Sequence, residues 1–275
     1  MDERINRVAA LANVSAYDAE ATKKYIDGAP HIKHDSLRKL YGKLVIRAFD
    51  SAALHTKIPK VLDLGAGEGS VTLPFLDLGA KVVAVDISSS QLDSLKTKCS
   101  HFGDMLEVRC EDINDTLKRN EGKYDIVVFN SFLHHVPDYL EMIRKATMML
   151  SHHGQFFSFQ DPLRYDSVGK STMNVSKLAY FSWRIFQGDV IGGLKRRIRR
   201  SQGIYIEDSV HDNAEYHVTR NGVDQDSIQF LLERQGFDCN IVHYFSTQSS
   251  LFQPIGTILN MKNSFAVLAQ KRHVS

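Results

Sequence analysis

The chain has 275 residues, 43% hydrophobic and 24% charged, with 34 Lys+Arg against 32 Asp+Glu for a net charge of +2. That length suits one elaborated domain or two small ones, with enough apolar residues for a sizeable core. A disordered tail, a collagen-like repeat and a disulfide-stapled mini-domain are excluded, and a charge this near balance does not by itself announce nucleic acid. Cys99, Cys110 and Cys239 form no CxxC pair, so they predict reduced thiols and no metal site. Asp2 and Glu3 precede any apolar stretch, and no apolar run reaches the 18 residues of a membrane span. The expectation is a soluble cytoplasmic protein.

In chain order, residues 1–57 read as a helical N-terminal cap, with Ala19 to Ile26 and Ser36 to Ala53 as its clearer helices around Gly28-Ala29-Pro30. A strand, Lys60 to Leu64, runs into a glycine turn and a helix from Ser70 to Leu78. Ala80 to Val85 is a second strand, Leu106 to Cys110 a third, Tyr124 to Phe129 a fourth and Gly154 to Phe159 a fifth, with helices predicted over Ser89 to His101 and Asp138 to Leu150. Short apolar strands alternating with helices specify βαβ units and a parallel sheet buried on both faces. Residues 58–162 thus form the core. Residues 163–222 are too long for a bare loop and predict a helical cap insertion. Residues 223–275 complete the core with a helix, Asp224 to Gln235, and strands Asp238 to Phe245 and Phe265 to Ala269, paired antiparallel without a helix between them.

The most informative stretch is Asp63-Leu64-Gly65-Ala66-Gly67-Glu68-Gly69-Ser70. Glycine serves where backbone must turn with positive φ or approach a ligand, and a strand feeding such a turn into a helix makes a nucleoside platform. The dinucleotide fingerprint G-x-G-x-x-G would need glycine at Ser70, which counts against a nicotinamide oxidoreductase. Asp86, at the end of the second strand and followed by Ile87, stands 21 residues after Gly65, where a carboxylate can accept hydrogen bonds from ribose hydroxyls. Asp112 and Ile113 repeat the placement after the third strand, suited to an adenine amino group and ring face.

With Asn130-Ser131-Phe132-Leu133-His134-His135-Val136-Pro137-Asp138 after the fourth strand and the closing Gly236-Phe237 and Phe265 to Ala269 segments, these motifs resemble class I S-adenosylmethionine-dependent methyltransferases of the small-molecule type. The resemblance covers residues 58–162 and 223–272. It implies an α/β, Rossmann-like fold, a seven-stranded and mostly parallel sheet with an antiparallel last strand, to which helical cap insertions are added. It implies S-adenosyl-L-methionine as cofactor, with Gly65, Gly67 and Gly69 along its methionine and ribose, Asp63 near the amino group, Asp86 at the ribose, and Asp112 and Ile113 at the adenine. Ala66, Ile87, Asn130 and Ser131 join that cofactor set.

Asn130-Ser131-Phe132-Leu133 lacks the proline pair common in the family's nucleic-acid and protein amine methylators, which favours a small-molecule acceptor methylated on O, N or C. His134 and His135 are the candidate proton acceptors, although positioning and desolvation can supply most of the rate. Aromatic and histidine side chains of the caps, among them Tyr17, Tyr25, His31, His34, Tyr180, Trp183 and His217, are candidate acceptor contacts. Lys195-Arg196-Arg197-Ile198-Arg199-Arg200 admits a rival reading, an RNA methyltransferase, and a non-catalytic cofactor-binding module is a second. Nucleic acid is not the expected partner, and the oligomeric state is open, with a homodimer among the possibilities.

Overall fold

The computed structural model describes residues 29–119, 122–187 and 221–272. The helix expected over Ala19 to Ile26, the basic run at 195–200, and Tyr17, Tyr25 and His217 lie outside them.

Seven strands make one sheet: β1 (Lys60–Leu64), β2 (Lys81–Asp86), β3 (Leu106–Cys110), β4 (Tyr124–Asn130), β5 (Leu150–Pro162), β6 (Phe237–Tyr244) and β7 (Ser264–Lys271). Their order is β3-β2-β1-β4-β5-β7-β6. The pairings among β1 to β5 are parallel, and β7 pairs antiparallel with both β5 and β6. The strand order reverses between β1 and β4, which opens a crevice beyond their carboxyl ends, the usual ligand position in such sheets.

Helices α1 (Pro30–Lys33), α2 (Asp35–Ala53), α3 (Thr72–Asp77), α4 (Ser89–Lys98), α5 (Ile113–Leu117), α6 (Tyr139–Met148), α7 (Lys170–Gln187), α8 (Gln225–Arg234) and α9 (Phe252–Ile258) surround the sheet. Successive strand residues point to opposite faces, so each strand feeds two cores. On one face Leu62, Leu64, Val127, Phe129 and Phe156 pack with Met142, Ile143 and Ala146 of α6 and Ile228 and Leu232 of α8. On the other, Val61, Val82, Ala84, Val128 and Phe157 pack with α2, α3 and α4. Leu37, Tyr41, Leu44, Val45 and Ala48 recur on one side of α2, and the Gln155 amide donates to the Ala48 carbonyl across the seam. Residues 35–53 are thus a layer of the core.

Two local readings change. The polar stretch between β6 and β7 contains α9, because the buried Gln253, whose amide donates to the Phe245 carbonyl at 2.8 Å, and the small Gly256 let a short helix lie against Phe245; a Cβ at Gly256 would come within 2.0 Å of that ring. Strand β5 runs to Pro162, beyond Phe159, and carries a register shift between Ser158 and Asp161. The insertion leaves and returns at one place: Leu163 bridges Val223, and Arg164 pairs with Asp224 at 2.9 Å. Within it, α7 is anchored by Ser176, whose hydroxyl accepts from the Asn263 amide, and by Ser182 beside Ser249.

Candidate functional site

The β1 turn is built from backbone. Gly65 and Ala66 donate their N–H groups to the Val85 carbonyl at 2.9 and 3.0 Å, which ties the turn to β2. Gly65 has φ of 81°, and a Cβ there would sit 2.5 Å from the Phe132 ring; at Gly67, with φ of 53°, it would meet Gln91 Oε1 at 2.8 Å. Only glycine holds these positions without strain.

The carboxylates lie around that turn. Asp86 Oδ2 accepts from the Gly67 N–H at 2.8 Å and Oδ1 from the Ser88 N–H at 2.9 Å, so its orientation is fixed while each oxygen keeps a second lone pair. Burial pushes its pKa upward, opposed by those N–H bonds. Asp63 is fully buried beneath the turn; Oδ2 accepts from the Thr72 hydroxyl at 2.6 Å and Oδ1 has no partner among the described residues. Burial lifts the Asp63 pKa to about 7, and the neighbouring Asp86 adds to the rise. Asp112 caps α5, Oδ1 accepting from the Asn114 N–H at 2.7 Å, while Ile113 is buried against the core and Ile87 is half-exposed at the end of β2.

A second space opens on the other side of β4. It measures about 290 Å³ and is lined by residues of five segments, including Pro30, His31, Ser131, His134, Gln160 and Tyr180. Among its lining residues there is no Lys, Arg, Asp or Glu. Its wall is stitched by neutral hydrogen bonds: His34 Nε2 donates to the Thr247 carbonyl at 2.8 Å, and the Gln160 amide donates to Ser246 Oγ at 2.6 Å. Asn130 joins the two spaces, its amide nitrogen lying 3.2 Å from Ser70 Oγ at the turn and 3.3 Å from His31 Nε2 at the cavity.

His134 lines this cavity, with Nδ1 2.8 Å from Oδ1 of the fully buried Asp161; the same oxygen accepts the His134 N–H at 3.1 Å. A carboxylate at Nδ1 holds the ring proton there. His135 is buried with its ring 3.9 Å from that of His134 and is not among the lining residues. Ser131, with φ of 52°, also lines this cavity.

Asp161 is the residue that reading the sequence missed, and the bulge in β5 explains why. Regular alternation would put Asp161 on the face of Phe157 and Phe159. The extra residue, Gln160 with φ of 69°, shifts the register so that Asp161 opposes Phe265 and shares the face of Phe156 and Phe265. A Gln-Asp-Pro sequence ending an apolar strand was the one available signal.

Residues 62–158 match the family model described as a methyltransferase domain. That match spans about a third of the chain, and with the fold and the turn it makes residues 62–158 similar to the methyltransferase domain of class I S-adenosylmethionine-dependent methyltransferases. The ubiquinone biosynthesis O-methyltransferase of Xanthomonas axonopodis pv. citri (strain 306) is 26% identical over 153 residues, 56% of this chain and 58% of that protein. The chain thus aligns with less than two thirds of the length of such curated relatives. Among solved structures, the plantazolicin methyltransferase BamL, in complex with a desmethyl substrate analog and S-adenosylhomocysteine, superposes with a TM-score of 0.56 at 13% identity, covering 98% of this chain and 97% of that one. The magnesium protoporphyrin IX methyltransferase of Synechocystis PCC 6803 with bound S-adenosylmethionine gives 0.53 at 15% identity, covering 96% and 97%. At such identities these likenesses establish the fold alone. Among the described residues no helix is long and apolar enough to cross a membrane.

Proposed function

We propose that the protein methylates an uncharged small molecule, with His134 removing the proton of the acceptor. The observation that carries the reading is the pairing of a glycine turn suited to the cofactor with an adjacent cavity whose lining, among the described residues, carries no Lys, Arg, Asp or Glu. The described residues fit S-adenosylmethionine. Gly65 and Gly67 hold a positive-φ turn, and Asp63, whose pKa burial raises to about 7 and whose Oδ1 has no partner among the described residues, would gain from a cationic amino group beside it.

Bound there, the cofactor supplies an activated methyl group on a sulfonium. Gly65, Ala66, Gly67 and Gly69 would border it with carbonyls and Cα atoms, since their N–H groups are already donated within the protein, Asp86 would accept from its ribose, and Asp112, Ile113 and Ile87 would border the base. His134 accepts the acceptor's proton at Nε2, while Asp161 holds the ring and stabilises the imidazolium that results. The enclosing segments exclude water and align the reactants, which contributes more than the base does: about 7–11 kcal/mol against roughly 10²–10⁴-fold. A lining without Lys or Arg favours a small molecule over RNA, whose phosphates such side chains would contact. Three free cysteines suit the reducing cytoplasm. A homodimer, compatible with this reading, would show as a doubled mass in light scattering.

Calorimetry with S-adenosylhomocysteine, followed by transfer of labelled methyl from S-adenosylmethionine to a panel of small hydroxylated and aminated compounds, tests the reading. Binding and transfer to an uncharged acceptor are expected. Absence of cofactor binding, or transfer to RNA alone, would overturn it.

A further inference from the structure

We propose that His31 is a specificity residue of the acceptor cavity, its Nδ1–H donating a hydrogen bond to a second, uncharged oxygen of the acceptor, distinct from the atom that is methylated. This rests on reading the cavity as the acceptor site. His31 is 5% exposed, lies on α1 and lines the cavity. Its ring is fixed between Tyr41 and Phe159, with centroids 5.6 and 6.0 Å away.

The assignment of the tautomer rests on the amide beside it, whose nitrogen faces the ring and whose Oδ1 has no partner among the described residues. Asn130 offers two N–H bonds, and its nitrogen faces Ser70 Oγ at 3.2 Å and His31 Nε2 at 3.3 Å. With Nε2 accepting one of them, the ring proton sits on Nδ1. Nδ1 is buried and has no partner among the described residues. A buried N–H left unpaired is unfavourable, so a ligand oxygen in the cavity supplies what the fold omits.

The donor is also neutral. Burial lowers the His31 pKa to about 4, so the ring stays uncharged at physiological pH and favours a carbonyl, ether or hydroxyl oxygen over a carboxylate. His134, the other histidine of the cavity, has Asp161 at Nδ1 and a different task. Two histidines of the same cavity thus divide the work, one accepting a proton and one reading a second polar atom.

Two measurements on the protein saturated with S-adenosylhomocysteine test this. Long-range ¹H–¹⁵N spectra of labelled histidine should show the Nδ1–H tautomer at His31, neutral from pH 8 down to pH 5; an Nε2–H tautomer or a charged ring over that range overturns the proposal. Calorimetry then compares 2-methoxyphenol with 2-ethylphenol, probes of like size of which only the first carries the accepting oxygen. The wild type and His31→Asn, whose amide keeps a donor near the Nδ1 position, should prefer 2-methoxyphenol by about three- to tenfold, and His31→Leu should not. Equal affinity of the wild type for the two probes, or an unchanged preference in His31→Leu, overturns the assignment. Failed binding of S-adenosylhomocysteine to the wild type would instead count against the methyltransferase reading.

Discussion

The turn after β1 and the cavity beyond β4 are neighbours joined through Asn130, yet they are built on different principles. The turn is local: seven consecutive residues, Asp63 to Gly69, make its loop, and backbone N–H groups with two carboxylates make its chemistry. The cavity is assembled from α1, the ends of β4 and β5, helix α7 and the segment from Ser246 to Ser264, each distant from the others in the chain. A local motif is constrained by what backbone and cofactor both require. An assembled cavity is free to vary with the acceptor, because changing one wall leaves the turn intact.

That contrast predicts separable defects. The largest is at the acceptor end: His134→Ala should lower turnover by about 10²–10⁴-fold and leave calorimetric affinity for S-adenosylhomocysteine unchanged. The wild-type rate should fall on the acid side as His134 takes up a proton, and this limb should vanish in the variant; a limb present in both proteins removes His134 from the mechanism. At the cofactor end, Asp86→Ala should weaken S-adenosylhomocysteine binding by about 1.5–3 kcal/mol, roughly 10- to 100-fold. Unaltered affinity would mean that the carboxylate only braces Gly67 and Ser88.

A smaller effect is expected at Gly65. Alanine there costs about 1–2 kcal/mol for the left-handed backbone alone, before the approach to Phe132 is counted. Thermal unfolding should register the loss, and a variant as stable as the wild type would show that the turn relaxes.

The remaining effects are slopes of stability against pH in the cofactor-free protein, at most about 1.4 kcal/mol per pH unit for one group. Asp63 binds its proton more tightly folded than unfolded, its pKa rising from 3.8 to about 7, so its contribution falls as pH rises through that window. His31 behaves oppositely: with a pKa lowered from 6.5 to about 4, its contribution grows as pH rises from 4 to 6.5. In the overlap the two offset each other. Relative to wild type, Asp63→Asn should gain stability as pH rises from 4 to 7, and His31→Leu should gain as pH falls from 6.5 to 4. Denaturant unfolding across pH 4–8 measures both, and parallel curves for all three proteins would show that neither group is perturbed.

Much of this was legible in the chain. Val61, Leu62 and Leu64, Val82 to Val85 and Ile126 to Phe129 are apolar on both sides of each strand, which only a sheet covered on both faces satisfies, and Asp63 to Ser70 announced the turn. Strand ends and helix starts also followed local chemistry, as Asp138 and Asp224 show by accepting the first free N–H groups of α6 and α8. The helix α9 was not legible, since its polar and small residues carry little periodicity and it forms by lying on Phe245.

Local sequence by itself therefore determined the strands and the turn, because these depend on backbone freedom, side-chain alternation and charge at fixed short spacing, while the cofactor came from the resemblance those motifs carry. Tertiary structure alone decided the cavity beyond β4. Only the bulge at Gln160 brings Asp161 to His134 across 27 positions of chain, and only the packing of α1 against Tyr41 and Phe159 sets His31 beside Asn130, 99 positions away. Such contacts depend on register and packing between elements, which no local pattern encodes.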